Sequence, residues 1–201
     1  MSDKIIVSGT GCCLVDVLYN NVDFRNEKAN PSKKWPLGED DESYQLIDLL
    51  ITDKEEALRL SGESHINLAI NFFLEKRVSS FIITNGSSDI ITYSDGSFFH
   101  SSPVTLLPVS QAIKNQLETY SKGDTTGCGD NFAGGVIASI VDQMTTGIKK
   151  FDLREACSWG VVSGGFACSY IGGTYFEERP GEKLERILPY YESYKVQISS
   201  K

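Results

Sequence analysis

At 201 residues the chain can bury one sizeable core and is short for two domains of ordinary size, and 40% hydrophobic with 23% charged residues places it among globular sequences, not disordered or fibrous ones. A formal net charge of -8 works against a surface built to hold nucleic-acid phosphates, which needs clustered Lys and Arg, so no nucleic-acid partner is expected. No apolar run approaches the roughly 18 to 20 residues of a membrane span, and Met1-Ser-Asp-Lys-Ile5 lacks the parts of a signal segment, so the expectation is a cytoplasmic chain with no membrane partner.

Lys4 to Ser8 (Lys-Ile-Ile-Val-Ser) is an apolar, β-branched run closed by Gly9-Thr-Gly11, the pattern of a buried strand ending in a turn. Asp16 follows the apolar stretch Cys12 to Val15. From Val22 to Ser43 periodicity disappears and Asn, Lys, Pro and acidic residues dominate. This predicts a loop or junction over about residues 17–45, long for a compact domain. Gln45 to Ile51 reads as a second buried strand. Asp53 is placed to cap a charged helix from Lys54 to about Leu60 that Gly62 stops. Ser64 is placed to cap a further helix whose Ile66, Ala69, Ile70 and Phe73 share one face.

Ser80 to Thr84 predicts a strand, and Ile90 to Tyr93 with Ser97 to His100 predicts a hairpin turning at Asp95-Gly96. Ser101 to Gly123 carries no clear period. Gly127 to about Asp142 predicts a helix with Phe132, Val136, Ile140 and Val141 on one stripe, and with Ala133, Gly134 and Gly135 leaving room for close packing. Another helix is expected from Leu153 to about Ser169, and an acidic, aromatic one after Pro180. Strands alternating with helices predict an α/β fold, a mainly parallel sheet flanked by helices in a single domain over residues 1–201. Cys12, Cys13, Cys128, Cys157 and Cys168 are odd in number, show no Cys-x-x-Cys spacing and lie in apolar segments, so they read as reduced, buried thiols. His65 and His100 offer no zinc spacing, which leaves a hard, carboxylate-bound ion such as magnesium as the metal to expect.

The stretch Asp124-Thr-Thr-Gly-Cys-Gly-Asp130 carries the clearest chemistry. Gly127-Cys128-Gly129 lets the chain turn tightly into a helix whose first amides have no carbonyl partner inside it. Those donors, with the helix dipole, suit an anion such as a transferring phosphoryl group. Asp130 falls in the same first turn, so a carboxylate able to take a proton from an alcohol stands beside the anion cradle. A structural reading competes with this one: Asp124 as a helix cap, Asp130 complementing the dipole, and the glycines merely turning the chain.

The longer pattern Asp-Thr-x-Gly-x-Gly-Asp, followed by Phe132-Ala-Gly-Gly135, resembles the second signature of the ribokinase-like carbohydrate kinase (PfkB) family. The resemblance implies an ATP-dependent transfer of the γ-phosphoryl group to a hydroxyl of a sugar, sugar phosphate or nucleoside. ATP and Mg2+ would be the cofactors, with a monovalent cation, K+, near Asp124 and Thr126. It implies Asp130 as the base and Gly127, Cys128 and Gly129 as the anion cradle, Cys128 standing where the family more often has alanine. Asp53-Lys-Glu-Glu56 is similar to the family's Asn-x-x-Glu segment, whose Glu helps organise magnesium and phosphate; Asp replaces Asn at position 53. Thr84-Asn-Gly86 resembles the family's nucleotide loop, with Asp89 where a second glycine is expected. Gly11 to Asp16 looks like the segment whose Asp holds sugar hydroxyls, and Val162 to Gly173 aligns with the segment that covers the adenine ring.

The family runs to about 300 residues by this resemblance, and its lid, its Gly-Gly sugar motif and several central strands have no counterpart between Asp16 and Gln45. A true deletion and a record of joined pieces both stay open. Losing central strands would expose apolar edges, which a homodimer could cover. Other readings compete with the active kinase. One is a degenerate nucleotide-binding or regulatory module that has lost its substrate half. A Rossmann enzyme built on Gly9-Thr-Gly11 lacks the third glycine, and a Walker-type enzyme lacks any Gly-Lys-Ser/Thr.

Overall fold

The computed structural model describes residues 5–9, 16–20, 44–45, 47–120, 123–173 and 175–199. The chain divides into two compact units, Met1–Leu106 and Leu107–Lys201. The first is built on a sheet of strands β1 (Ile5–Gly9), β2 (Asp16–Asn20), β3 (Ile47–Asp53), β4 (Ser80–Thr84), β5 (Ile90–Ser94) and β6 (Ser102–Leu107), lying in that spatial order. Helices α1 (Lys54–Ser61) and α2 (Ile66–Glu75) sit between β3 and β4 in the chain. The α/β class read from the sequence is the class observed, with a mixed sheet. β3 and β4 are parallel, joined by a helical crossover as parallel strands require, while β1–β2, β2–β3 and β4–β5 are antiparallel.

β3 and β4 are buried on both faces, as the continuous Ile, Leu and Phe content of parallel strands dictates. On one side Leu50, Phe81 and Ile83 pack with Ala57 and Leu60 of α1 and Ala69, Ile70 and Phe73 of α2. Across β4–β5, Ser80 faces Ser94, with their hydroxyls 3.1 Å apart, and Phe81 stacks on Tyr93 with ring centroids at 5.1 Å.

The helix ends follow their residues closely. Asp53 caps α1 with a reciprocal box: its carboxylate accepts the Glu56 amide at 2.8 Å, and Glu56 accepts the Asp53 amide at 3.0 Å. Gly62 closes the helix in the left-handed region, φ 71°. The second helix differs from expectation at its start, because His65 and not Ser64 occupies the N-cap, with no side-chain bond. Other expectations shift as well. β2 occupies the first part of the predicted 17–45 loop, and residues 21–43 lie outside the described ones. The chain does turn at Asp95-Gly96, where the Ser97 amide donates to Asp95 at 2.7 Å. β5 pairs with β4, through the turn after Thr84, and neighbours β6 on its other side, but that strand begins only at Ser102 and not at Ser97.

The second unit is helical: α3 (Gln111–Tyr120), α4 (Cys128–Thr145), α5 (Leu153–Ala167) and α6 (Glu182–Ser199). α5 is the central element, most of its residues buried, and α4 lies along it. Glycines set their separation. A Cβ built on Gly135 would fall 2.6 Å from the Trp159 carbonyl oxygen, one on Gly160 would fall 2.7 Å from Val136, and one on Gly164 would fall 2.8 Å from the Cys128 carbonyl oxygen. Phe132, Val136 and Ile140 bury toward this seam as expected. Val141 is 50% exposed instead, since the next buried position along the face is Gln143, whose amide binds the Asp152 carbonyl at 3.1 Å. α6 is tied to the segment before α3 by the Tyr194 hydroxyl on the Pro108 carbonyl at 2.6 Å, and to α5 by the stacked rings of Trp159 and Tyr191. Among the described residues no helix is long and apolar enough to cross a membrane.

Two stability outcomes follow from these contacts. Asp53→Ala removes the accepting half of the α1 box and should lower unfolding stability by about 0.5–2 kcal/mol in a urea titration. Gly135→Ala should destabilise by about 1–3 kcal/mol, because backbone and not a movable side chain blocks the added methyl, whereas Gly134→Ala, with open space around it, should gain up to about 1 kcal/mol of helix propensity. Equal effects at positions 134 and 135 would show that the α4–α5 spacing is not set by glycine.

Candidate active site

The stretch from Asp124 to Asp130 forms a short loop and the start of α4. Gly127 is the N-cap, held in the left-handed region at φ 69°, and it offers no side-chain cap. Asp124 is therefore not the helix cap. Its carboxylate instead clamps two loops together, accepting the Thr126 amide at 2.8 Å and the Gly172 amide at 3.3 Å. The Thr126 amide, and after it the Gly172 amide, hold this carboxyl below its usual range. Gly172 and Gly173 are both in the left-handed region, and a Cβ on Gly173 would stand 2.2 Å from the Thr126 carbonyl oxygen. Only glycine lets the two loops come this close.

With no side chain at the cap, the first amides of α4 point outward. Cys128 bonds weakly back to the Thr125 carbonyl at 3.3 Å, while the Gly129 and Asp130 amides meet no acceptor among the described residues. Space is open above Gly129, and Gly129 and Asp130 are exposed. The arrangement presents two unpaired donors at the positive end of an 18-residue helix, with a carboxylate in the same turn. It can take an anion at the amides and a proton at the Asp130 carboxylate.

Two residues that the sequence reading left unassigned brace this turn. Asn131 donates from its side-chain amide to the Gly127 carbonyl at 2.8 Å and to the Gly173 carbonyl at 2.7 Å, fastening the cap to the neighbouring loop. Lys183, from α6, donates to the Asn131 side-chain oxygen at 2.7 Å. Burial lowers the Lys183 pKa. Adjacency to the signature could have flagged Asn131, but no sequence signal marks Lys183.

In the first unit the remaining candidates gather at one end of the sheet. Asp53 and Thr84 are register partners at the carboxyl ends of the parallel pair β3–β4, the end of an α/β sheet where ligands are commonly bound. Glu56 is buried one helical turn on, and its Oε2 accepts both the Asp53 amide and, at 3.1 Å, the Thr52 hydroxyl. Burial pushes the Glu56 carboxyl up, against the lowering effect of the Asp53 amide. Gly86 turns the chain after β4 at φ 56°, and the Ser88 amide closes that turn on the Asn85 carbonyl at 2.9 Å. Asp16 opens β2 opposite Ile51, which sets its backbone at the same end of the sheet; it starts a strand and does not end one. Among the described residues no three His, Cys, Asp or Glu side chains group to hold a metal ion.

Comparison with known proteins gives the frame for both units. No match was found among curated proteins. Among solved structures the chain is similar to a candidate ribokinase II from E. coli in complex with ATP and Mg2+, at 23% identity and a TM-score of 0.50 over 74% of this chain and 40% of that one. It is similar to a ribokinase from Thermotoga maritima at 20% identity and a TM-score of 0.50, covering 84% of this chain and 47% of that one. It is also similar to aminoimidazole riboside kinase from Salmonella enterica, complexed with aminoimidazole riboside and an ATP analog, at 19% identity and a TM-score of 0.51, covering 74% and 43%. The chain thus has a ribokinase-like fold and spans less than half the length of these structures. The family model for the pfkB family carbohydrate kinases matches residues 20–179, most of the chain and the whole Asp124–Asp130 turn, and the chain belongs to that family.

Proposed function

We propose that this chain carries the phosphoryl-transfer machinery of a carbohydrate kinase, moving the γ-phosphoryl group of ATP to a hydroxyl of a sugar, sugar phosphate or nucleoside. The observation that carries the reading is the first turn of α4, where unpaired Gly129 and Asp130 amides and the Asp130 carboxylate occupy one exposed surface. In this reading the Gly129 and Asp130 amides, presented by the turn through Gly127 and Cys128 at the start of the helix, receive charge that builds on the phosphoryl oxygens, and Asp130 takes the proton of the attacking hydroxyl. Family membership and the kinases of similar fold, two of them solved with ATP or an ATP analog, support it.

The same reading assigns Asp53, Thr84 and Gly86 to the nucleotide and Asp16 to the acceptor. Glu56 keeps one carboxylate oxygen, Oε1, without a partner among the described residues, and this atom fits a magnesium ion that takes most of its shell from phosphate and water. Mg2+ would screen the phosphate charge there. Asp124 and Thr126 are the residues proposed to face K+.

A second reading is a module that binds nucleotide without turnover. The engagement of Asp53 in the α1 cap, where the family pattern has Asn, favours it.

An ADP-release assay over a panel of sugars, sugar phosphates and nucleosides separates them. Wild type should turn over at least one acceptor, and Asp130→Asn should lose on the order of 100- to 10,000-fold in kcat with folding unchanged. Equal rates in the two proteins would eliminate Asp130 as base, and calorimetric ATP binding with no turnover across the panel would establish the second reading. Chelation of divalent metal should abolish turnover, and added Mg2+ should restore it; turnover that persists in excess chelator contradicts the role given to Glu56.

A further inference from the structure

The first residue of α4 and the residue that ends α5 are both cysteines, and they meet. Cys128 Sγ and Cys168 Sγ lie 2.7 Å apart, within the second unit, 40 positions apart in sequence. Both are half-buried, so a small reagent can reach them, whereas Cys157 on the same helix as Cys168 is fully buried. Their approach is enforced by the backbone around them. Gly164, one turn before Cys168, packs against the Cys128 carbonyl, and a Cβ on Gly123 would fall 2.0 Å from the Cys168 carbonyl oxygen. The Cys168 thiol also lies 3.5 Å from the Gly164 carbonyl, and the Cys128 thiol lies 3.8 Å from that of Asp124. Neither sulfur is held away from the other by a strong competing bond.

We propose that Cys128 and Cys168 form a redox-active dithiol site that reacts with a low-molecular-weight disulfide and closes to an intramolecular Cys128–Cys168 bond across the α4–α5 seam. One sulfur of the pair, as thiolate, attacks one sulfur of the small disulfide, forms a mixed disulfide and releases one thiol, which takes up the proton. The other sulfur, giving up its proton, then displaces the second thiol from that mixed disulfide. Two protein thiols and one small disulfide become one protein disulfide and two small thiols, with the two electrons passing to the reagent.

Burial pushes Cys157 up to about 12, which makes it an internal control. The bond would join the cap of the anion-binding turn to the end of the helix packed beside it.

The test uses the full chain, incubated in glutathione buffers from fully reduced to fully oxidised, quenched by alkylation under denaturing conditions and mapped by mass spectrometry without reduction. The expected result is a peptide bearing Cys128 linked to one bearing Cys168, short of two hydrogen atoms, with Cys157 alkylated throughout. Cys128→Ser and Cys168→Ser should each lose the cross-link and stop at a glutathione adduct on the remaining cysteine of the pair. Alkylation of both cysteines even in the most oxidised buffer, or linkage of either to a different cysteine or a second chain, would overturn the proposal. Because wild-type mapping decides the matter by mass, neither a variant that folds poorly nor a failed phosphoryl-transfer assay bears on the outcome.

Discussion

The distance between α4 and α5 is the constraint on which the second unit depends, and it is set by an absence of atoms. Gly135, Gly160 and Gly164 let backbone meet backbone or side chain at separations that one methyl group would forbid. The start of α4 is positioned by that contact, not by a capping side chain, because its N-cap is a glycine. An uncapped helix start is a small local loss of stability, and here it leaves donors exposed where a polar cap would have occupied them. Close packing along the seam therefore supports the openness at its end.

In the first unit the opposite strategy holds. The start of α1 is fully capped, Asp53 and Glu56 exchanging amide bonds, with Thr52 adding a third contact to Glu56. Charge that could meet a ligand is thus also structural charge, and these contacts offset part of the rise that burial imposes on the Glu56 carboxyl. One helix start is built for stability and the other for contact.

Much of this was legible from residues alone, where the governing interactions are local. The strand Ser80–Thr84 and both ends of α1 were readable because β-branched runs, an Asp N-cap and a Gly C-cap act within a few residues. The Asp124–Asp130 turn was readable because it is contiguous. β6 was obscured, since Pro103 and the exposed Val104 and Leu106 deny it an inward-facing pattern. α3 was obscured because, among the residues whose burial is described, Ile113 is its one buried apolar residue, and its position is fixed by distant partners such as Gln197 and Tyr190. The bracing of the site by Asn131, Gly173 and Lys183 links positions 42 and 52 residues apart, and nothing in a local pattern announces such pairs.

The Lys183 contact has a consequence for how the molecule breathes. α6 shares no residue with the signature turn, yet through Lys183 it holds the Asn131 side chain whose other end secures Gly127 and Gly173. Fraying of that helix near Glu182 releases the oxygen of Asn131 and loosens the turn behind it, so the two segments belong to one cooperative opening unit despite their separation in the chain. The rigidity of the anion-facing amides is in this sense borrowed from a helix that never touches them.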